Sequence, residues 1–172
     1  LSNTTDYDGK EHTVTGYEAK ASTALYDVTK DFTFSGDATA ARTDAGKTDM
    51  GLKDSQFANT NENFANVTFE VTDGYQEIKP IDVTVKITGH TDTSDYDGKE
   101  HTVTGYDVEI GNDLYKEADF TFSGTAEAKR TDAGKSDMGL AESQFANTNK
   151  NFDKVTFEVT DGYQEITPID VE

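Results

Sequence analysis

Four groups of side chains in this sequence have the chemistry for metal binding, catalysis or ligand contact. Asp6-Tyr7-Asp8-Gly9 and its copy Asp95-Tyr96-Asp97-Gly98 set two carboxylates one residue apart ahead of a glycine, part of the pattern by which a loop wraps calcium in oxygen ligands. An EF-type loop also needs an acidic residue two before Asp6 and a glutamate six after Gly9, and Thr4 and Thr15 stand there. Both segments therefore read as acid-rich β turns. His12 and His101 follow Glu11 and Glu100, so each imidazole has a carboxylate to orient it. No Ser or Cys at a recognisable spacing gives it a nucleophile to activate, and no second His in the same repeat builds a metal triad. With His90, which lies between the copies, they read as pairing with strand neighbours.

Glu70, Glu158 and Lys86 alternate onto the polar faces of their strands. A Lys–Asn isopeptide bond of the kind found in surface adhesins needs a buried lysine beside an asparagine and an acid. The available Asn59, Asn61, Asn63 and Asn66 cluster in one loop, where asparagine suits turns. Tyr17, Tyr26, Tyr75 and their copies Tyr106, Tyr115 and Tyr163 would stack sugars if exposed together. In a chain short of aliphatic residues they read as core and rim, burying rings while keeping hydroxyls wet. No catalytic residue, cofactor or metal ligand is assigned, and the chain is expected not to be an enzyme.

Composition narrows the classes further. The 172 residues carry 34 acidic and 15 basic side chains, a formal net charge of −19, which excludes a nucleic-acid partner bound by phosphate neutralisation. There is no Cys, hence no disulfide and no thiolate zinc site. Apolar stretches run only a few residues, too short for membrane insertion, and Leu1-Ser2-Asn3-Thr4-Thr5 has neither region of a signal peptide. The sequence reads as a mature fragment. Low hydrophobicity with high charge also fits disorder, but 26 Thr, 8 Tyr and 10 Phe favour a pleated, half-buried surface.

An internal duplication sets the architecture. Asp6 to Tyr17 recurs unchanged at Asp95 to Tyr106, and Asp31 to Val83 recurs as Asp119 to Val171 with 10 differences. One residue is lost between these blocks, where Asp27 to Lys30 faces Lys116 to Ala118, the mark of a turn tolerant of length change. The period is too long for a solenoid unit and suits a small domain. Ile81, Val83, Val85 and Ile87 alternate with Asp82, Thr84, Lys86 and Thr88, a strand with one dry and one wet face. Val67 to Val71 alternates likewise, and Asp73-Gly74 predicts a type I′ turn into Tyr75 to Ile78, a hairpin repeated around Asp161-Gly162. Phe32 to Phe34, Phe120 to Phe122, His12 to Tyr17 and Thr48 to Leu52 predict further strands, and Asp54 to Phe57 a helical turn.

Pro80 and Pro168 mark the joints, since proline is tolerated at a strand edge or crossover. The expected division is 1–80 and 81–172. Placing Ile81 to Ile87 in the second domain leaves the first without an equivalent strand and with an exposed edge, and makes Ile169-Asp170-Val171-Glu172 the opening of a further repeat. In the alternative phasing that strand closes the first domain.

The chain resembles the tandem MBG-type repeats, bacterial immunoglobulin-like β domains of large Gram-positive surface and adhesin-like proteins. The resemblance rests on Tyr7-Asp8-Gly9, Thr43-Asp44-Ala45-Gly46-Lys47, the Asn-rich loop and a closing hairpin leading through proline, with Tyr96-Asp97-Gly98 and Thr131-Asp132-Ala133-Gly134-Lys135 in the second copy. It implies an all-β chain of two tandem immunoglobulin-like β-sandwich domains; the runner-up fold, apart from the resemblance, is β-grasp-like repeats. It further implies a structural stalk or spacer in an extracellular, wall-attached or secreted protein, whose partners are neighbouring repeats. The alternative function is an extracellular module binding a host carbohydrate or protein.

The charge generates a first prediction. Like charges repel within the folded state and are screened over about 10 Å at 0.1 M ionic strength, so sodium chloride is expected to raise the melting temperature. Calcium at constant ionic strength should add nothing. A calcium-specific rise of several degrees, abolished by Asp8→Ala, would instead mark a native-state site at the Asp6–Gly9 segment.

Overall fold

A computed structural model describes every residue from Leu1 to Glu172. The chain is all-β. Besides strands it has only three single turns of 3-10 helix, at Asp54–Gln56, Glu117–Asp119 and Glu142–Gln144, so the helix that a β-grasp repeat packs across its sheet is missing. Two compact units divide it, Leu1–Pro80 and Ile81–Glu172.

The first unit contains β1 (Ser2–Asp6), β2 (His12–Thr15), β3 (Phe32–Phe34), β4 (Thr39–Arg42), β5 (Gly46–Asp49), β6 (Phe57–Asn59) and β7 (Tyr75–Lys79). They form a sheet in the order β1-β7-β5 and the pairs β2–β4 and β3–β6. β1 runs parallel to β7 in the register Ser2 to Tyr75, and β5 runs antiparallel to it.

The second unit adds β8 (Ile81–Gly89), β9 (Thr91–Asp95), β10 (His101–Thr104), β11 (Tyr106–Ile110), β12 (Phe120–Phe122), β13 (Glu127–Arg130), β14 (Gly134–Asp137), β15 (Phe145–Asn147), β16 (Phe152–Thr160) and β17 (Tyr163–Thr167). β9-β17-β14, β10–β13 and β12–β15 repeat the arrangement of the first unit. A further sheet, β11-β8-β16, has no counterpart there. β8 pairs in parallel with β16 and antiparallel with β11, and its alternation puts Val83, Val85 and Ile87 fully inside while Asp82, Thr84, Lys86 and Thr88 face solvent.

The expected hairpin around Asp73-Gly74 does not form. β16 and β17 flank Asp161-Gly162 but belong to different sheets, and in the first unit Val67 to Val71 belongs to no strand. Neither Gly74 nor Gly162 has the positive φ that a type I′ turn demands. The bend is held by the carboxylate instead. Asp73 accepts the N–H groups of Gly51 and Leu52, each at 2.9 Å, and Asp161 does the same for Gly139 and Leu140. The glycines allow close approach: a Cβ on Gly74 would collide with the Leu1 carbonyl oxygen, and one on Gly162 with that of His90.

One small core cluster recurs in both units, and the second unit buries Val83, Val85, Ile87, Phe145, Phe152 and Phe157 besides. Ala40, Met50 and Leu52 pack with Val14, Tyr17, Phe34 and Val71 in one; Ala128, Met138 and Leu140 pack with Val103, Tyr106, Phe122 and Val159 in the other. Beside it a file of phenyl rings runs Phe34, Phe57, Phe69 with centroids 4.9 and 5.6 Å apart, and Phe122, Phe145, Phe157 at 4.8 and 5.5 Å. The units differ where one residue was lost. Asp27 anchors a turn through the Thr29 hydroxyl and amide, whereas Lys116 leads straight into 3-10 turn Glu117–Asp119.

Asp161→Ala is expected to destabilise the second unit by about 1–3 kcal/mol, chiefly the cost of leaving the half-buried Leu140 N–H unpaired, since the Gly139 N–H is open to water. Urea denaturation of the intact chain reads the loss. Hydrogen exchange should place it at the Gly139 and Leu140 amides.

Candidate functional site

The sequence-selected acids are committed to local structure. Asp8 Oδ1 accepts the Lys10 N–H at 2.9 Å and lies 3.0 Å from His12 Nε2, and Asp97 does the same with Lys99 and His101. The Lys10 amide and the His12 ring hold the Asp8 carboxyl below its usual range; for Asp97 the His101 ring leads, followed by the Lys99 amide. Asp6 lies opposite Lys79 in the β1–β7 register, and Asp95 accepts the Thr167 hydroxyl at 2.6 Å. These residues build a turn with Gly9 and Gly98 at positive φ, and no three acid or imidazole groups converge on one point anywhere in the chain.

The other groups are spent in the same way. Lys86 is more than half exposed and stands 3.9 Å from Glu109, with Glu158 opposite it across the β8–β16 pair, while Glu70 sits in the unpaired segment of the first unit. The amide of Asn59 donates to the carbonyls of Asn61 and Phe64, and Asn61 Oδ1 accepts from Asn63. Lys86 is thus exposed, and Asn59, Asn61 and Asn63 bind one another and the backbone of their own loop. Asn59 also meets the Tyr26 hydroxyl, which donates toward the Asp31 carbonyl oxygen at 2.8 Å with Asn59 Oδ1 at 3.1 Å.

Tyr115 repeats this contact with Asp119 and Asn147. Burial, aided by the Asp119 charge, pushes its hydroxyl up to about 12. Tyr17 and Tyr106 stand edge-on to phenylalanines, and Tyr75 and Tyr163 lie under Lys47 and Lys135 at 4.2 and 4.0 Å, while Tyr17 and Tyr26 both line one groove of the first unit. Sequence reasoning overlooked Arg42 and Arg130. Arg42 donates to the carbonyls of Asp44 and Ala45, both at 2.7 Å, and staples the Thr43–Lys47 turn from inside; the arginine preceding each Thr-Asp-Ala-Gly-Lys motif was the available signal.

His90 stands where β8 passes into β9. Its Nδ1 lies 2.8 Å from the Thr104 carbonyl oxygen and its Nε2 3.0 Å from Asp107 Oδ1. A carbonyl only accepts, so Nδ1 carries a proton, and protonating Nε2 supplies the second donor. Asp107 first, then Thr104, raises the ring above its usual 6.5.

A groove of about 510 Å³ opens in the first unit. Tyr17 to Thr23 makes one wall and Asn66 to Thr72 the other, over Phe32, Leu52, Phe57 and Phe64. Neither wall belongs to a strand. Their equivalents in the second unit are β11 and β16, and β8 runs between them. Val67 to Thr72 is identical in sequence to Val155 to Thr160, yet only the latter is a strand. Phe145, Phe152 and Phe157 are buried at 6, 2 and 7% exposure, while Phe57, Phe64 and Phe69 remain half-buried. The missing equivalent of the Ile81 to Ile87 strand, expected to leave an exposed edge, thus corresponds to a slot with two walls. The chain matches no protein-family model, no curated protein and no solved structure.

The His90 geometry fixes a sign for pH dependence. A folded value above 6.5 gives a stabilisation fully present below the unfolded value and lost as pH rises through the folded one. The melting-temperature difference between the parent chain and His90→Ala should therefore be larger at about pH 5.5 than at about pH 8. An NMR titration of the ring reads the raised value directly.

Proposed function

We propose that the two units are immunoglobulin-like β-sandwich repeats of an extracellular bacterial surface or secreted adhesin-like protein, and that they act as spacers whose partners are their neighbouring repeats. The observation that carries this reading is the joint: Pro80 alone separates β7 from β8, the opening strand of the next near-identical copy. Proline lacks an N–H to leave unsatisfied there, and a single residue of chain is all that separates the last strand of one copy from the first strand of the next. The sandwich reading draws on strands that change sheet. β8 continues through Gly89 and His90 into β9, leaving the β11-β8-β16 sheet for β9-β17-β14, and β16 into β17 makes the same transfer, a device of sandwiches with two facing sheets. A charge of −19 keeps neighbouring chains apart and soluble.

Solution scattering on chains with increasing numbers of repeats tests the spacer. The maximum dimension is expected to grow in proportion to repeat number, whereas a plateau would contradict it. Reproducible binding of the chain on a glycan array would favour a binding module instead.

A further inference from the structure

Gln76 and Gln164 hold equivalent places in the two units, and neither has any exposed surface. Their carboxamides are turned differently. Gln76 is fully paired: its Oε1 accepts the Asn3 side-chain N–H at 3.1 Å, and its Nε2 donates to the Glu77 carbonyl oxygen at 3.0 Å. In the second unit the residue opposite the glutamine is Asp92 instead of Asn3. A carboxylate only accepts, so Gln164 presents its nitrogen: Nε2 donates to Asp92 Oδ2 at 2.8 Å and to the Glu165 carbonyl oxygen at 3.3 Å. That leaves Oε1 buried with no hydrogen-bond partner, a state that folded proteins seldom tolerate.

We propose that Asp92 and Gln164 form an acid-operated switch: when the Asp92 carboxylate takes up a proton, the Gln164 carboxamide turns so that its Oε1 accepts the new O–H. Both end states exist in this chain, one in each unit. In the turned form Nε2 keeps the neighbouring main-chain carbonyl, as Gln76 does with Glu77, and the orphaned oxygen gains a donor. What opposes turning at neutral pH is the charge on Asp92, because a hydrogen bond to an ionised acceptor is roughly twice as strong as a neutral one.

The groups around the pair allow both forms. Ser94 Oγ donates to the same Asp92 oxygen at 3.0 Å, and a hydroxyl can serve a carboxylate or a carboxylic acid. Asp92 is exposed, so the proton has a path from solvent. From β10 the His101 ring adds positive charge, with its Nε2 3.0 Å from Asp97 Oδ1. On the other side of Gln164, Ser136 stands opposite it in the β14–β17 pair and accepts from Arg130 Nη1 at 3.3 Å. The bond from Gln164 first, then the one from Ser94 and the His101 charge, holds the Asp92 carboxyl below its usual 3.8. A lowered folded value gives a stabilisation present above the unfolded value and lost as pH falls through the folded one. The switch therefore works in acid, and only in the unit that carries Asp92.

NMR of the isotopically labelled intact chain tests this. At about pH 7 the Gln164 NH₂ protons are expected to contact the Asp92 β-protons, and these contacts should vanish as Asp92 titrates. Asp92→Asn should produce the turned form at neutral pH, with a Gln164 NH₂ signal near that of Gln76. Asn3→Asp should do the reverse in the first unit, bringing the Gln76 NH₂ protons onto the new carboxylate. The melting temperature of the parent chain relative to Asp92→Asn should fall between about pH 6 and about pH 3. Titration of Asp92 with no movement of the Gln164 carboxamide would overturn the switch. If acid unfolds the chain first, the two substitutions at neutral pH decide: carboxamides that stay as they were in both variants would overturn it equally.

Discussion

The lateral insertion of Ile81–Gly89 between Tyr106–Ile110 and Phe152–Thr160 is the contact on which the difference between the two units depends. Three side chains, Val83, Val85 and Ile87, go from water to nearly complete burial, worth roughly 5–9 kcal/mol before conformational entropy is subtracted. That is comparable to the whole net stability of a small domain, about 5–15 kcal/mol. The strand also gives hydrogen-bond partners to two segments at once. Where it is present, both become strands and the phenylalanines beneath are covered; where it is not, the same six residues, Val67 to Thr72, pair with nothing. The duplicated chain thus carries its own internal control.

The strands legible in the sequence were those with one face in the core. Ile81 to Ile87 alternates because its two faces see different solvents, and Phe32 to Phe34 and Phe120 to Phe122 sit over the core in both units. Ser2–Asp6 and Thr91–Asp95 carry no apolar alternation, since they lie at sheet edges with mostly exposed side chains; only their parallel pairing with β7 and β17 makes them strands. The misread hairpin has a physical cause. Asp-Gly serves an I′ turn and a sheet-changing bend equally well, and what separates them is the reach of Asp73 to Gly51 and Leu52, a contact distant in sequence. Nor could any local pattern separate Val67–Thr72 from Val155–Thr160, because the sequences are identical and the deciding partner lies elsewhere in the chain.

The chemical side chains follow one rule. Asp8, Asp73, Asn59, Arg42 and their copies each satisfy backbone groups of a bend or loop that has no sheet neighbour to do so. In chains this poor in aliphatic residues, carboxylates and amides take over part of the work of fixing loops, with the tyrosine hydroxyls of Tyr26 and Tyr115 tying the Asn-rich loop to the core. Spacing alone made these residues resemble ligands. Their partners are mostly main-chain atoms, invisible to a motif. The groove was the reverse case: a feature with no motif, expected only as a missing neighbour.

The most direct measurement is hydrogen exchange on the intact chain, comparing a peptide spanning Ala65 to Thr72 with one spanning Asp153 to Thr160, which differ in mass through their first two residues. Insertion of the strand predicts slow exchange from Val155 to Thr160 and fast exchange from Val67 to Thr72 at concentrations where the chain is monomeric. Equal protection of the two identical segments would contradict it.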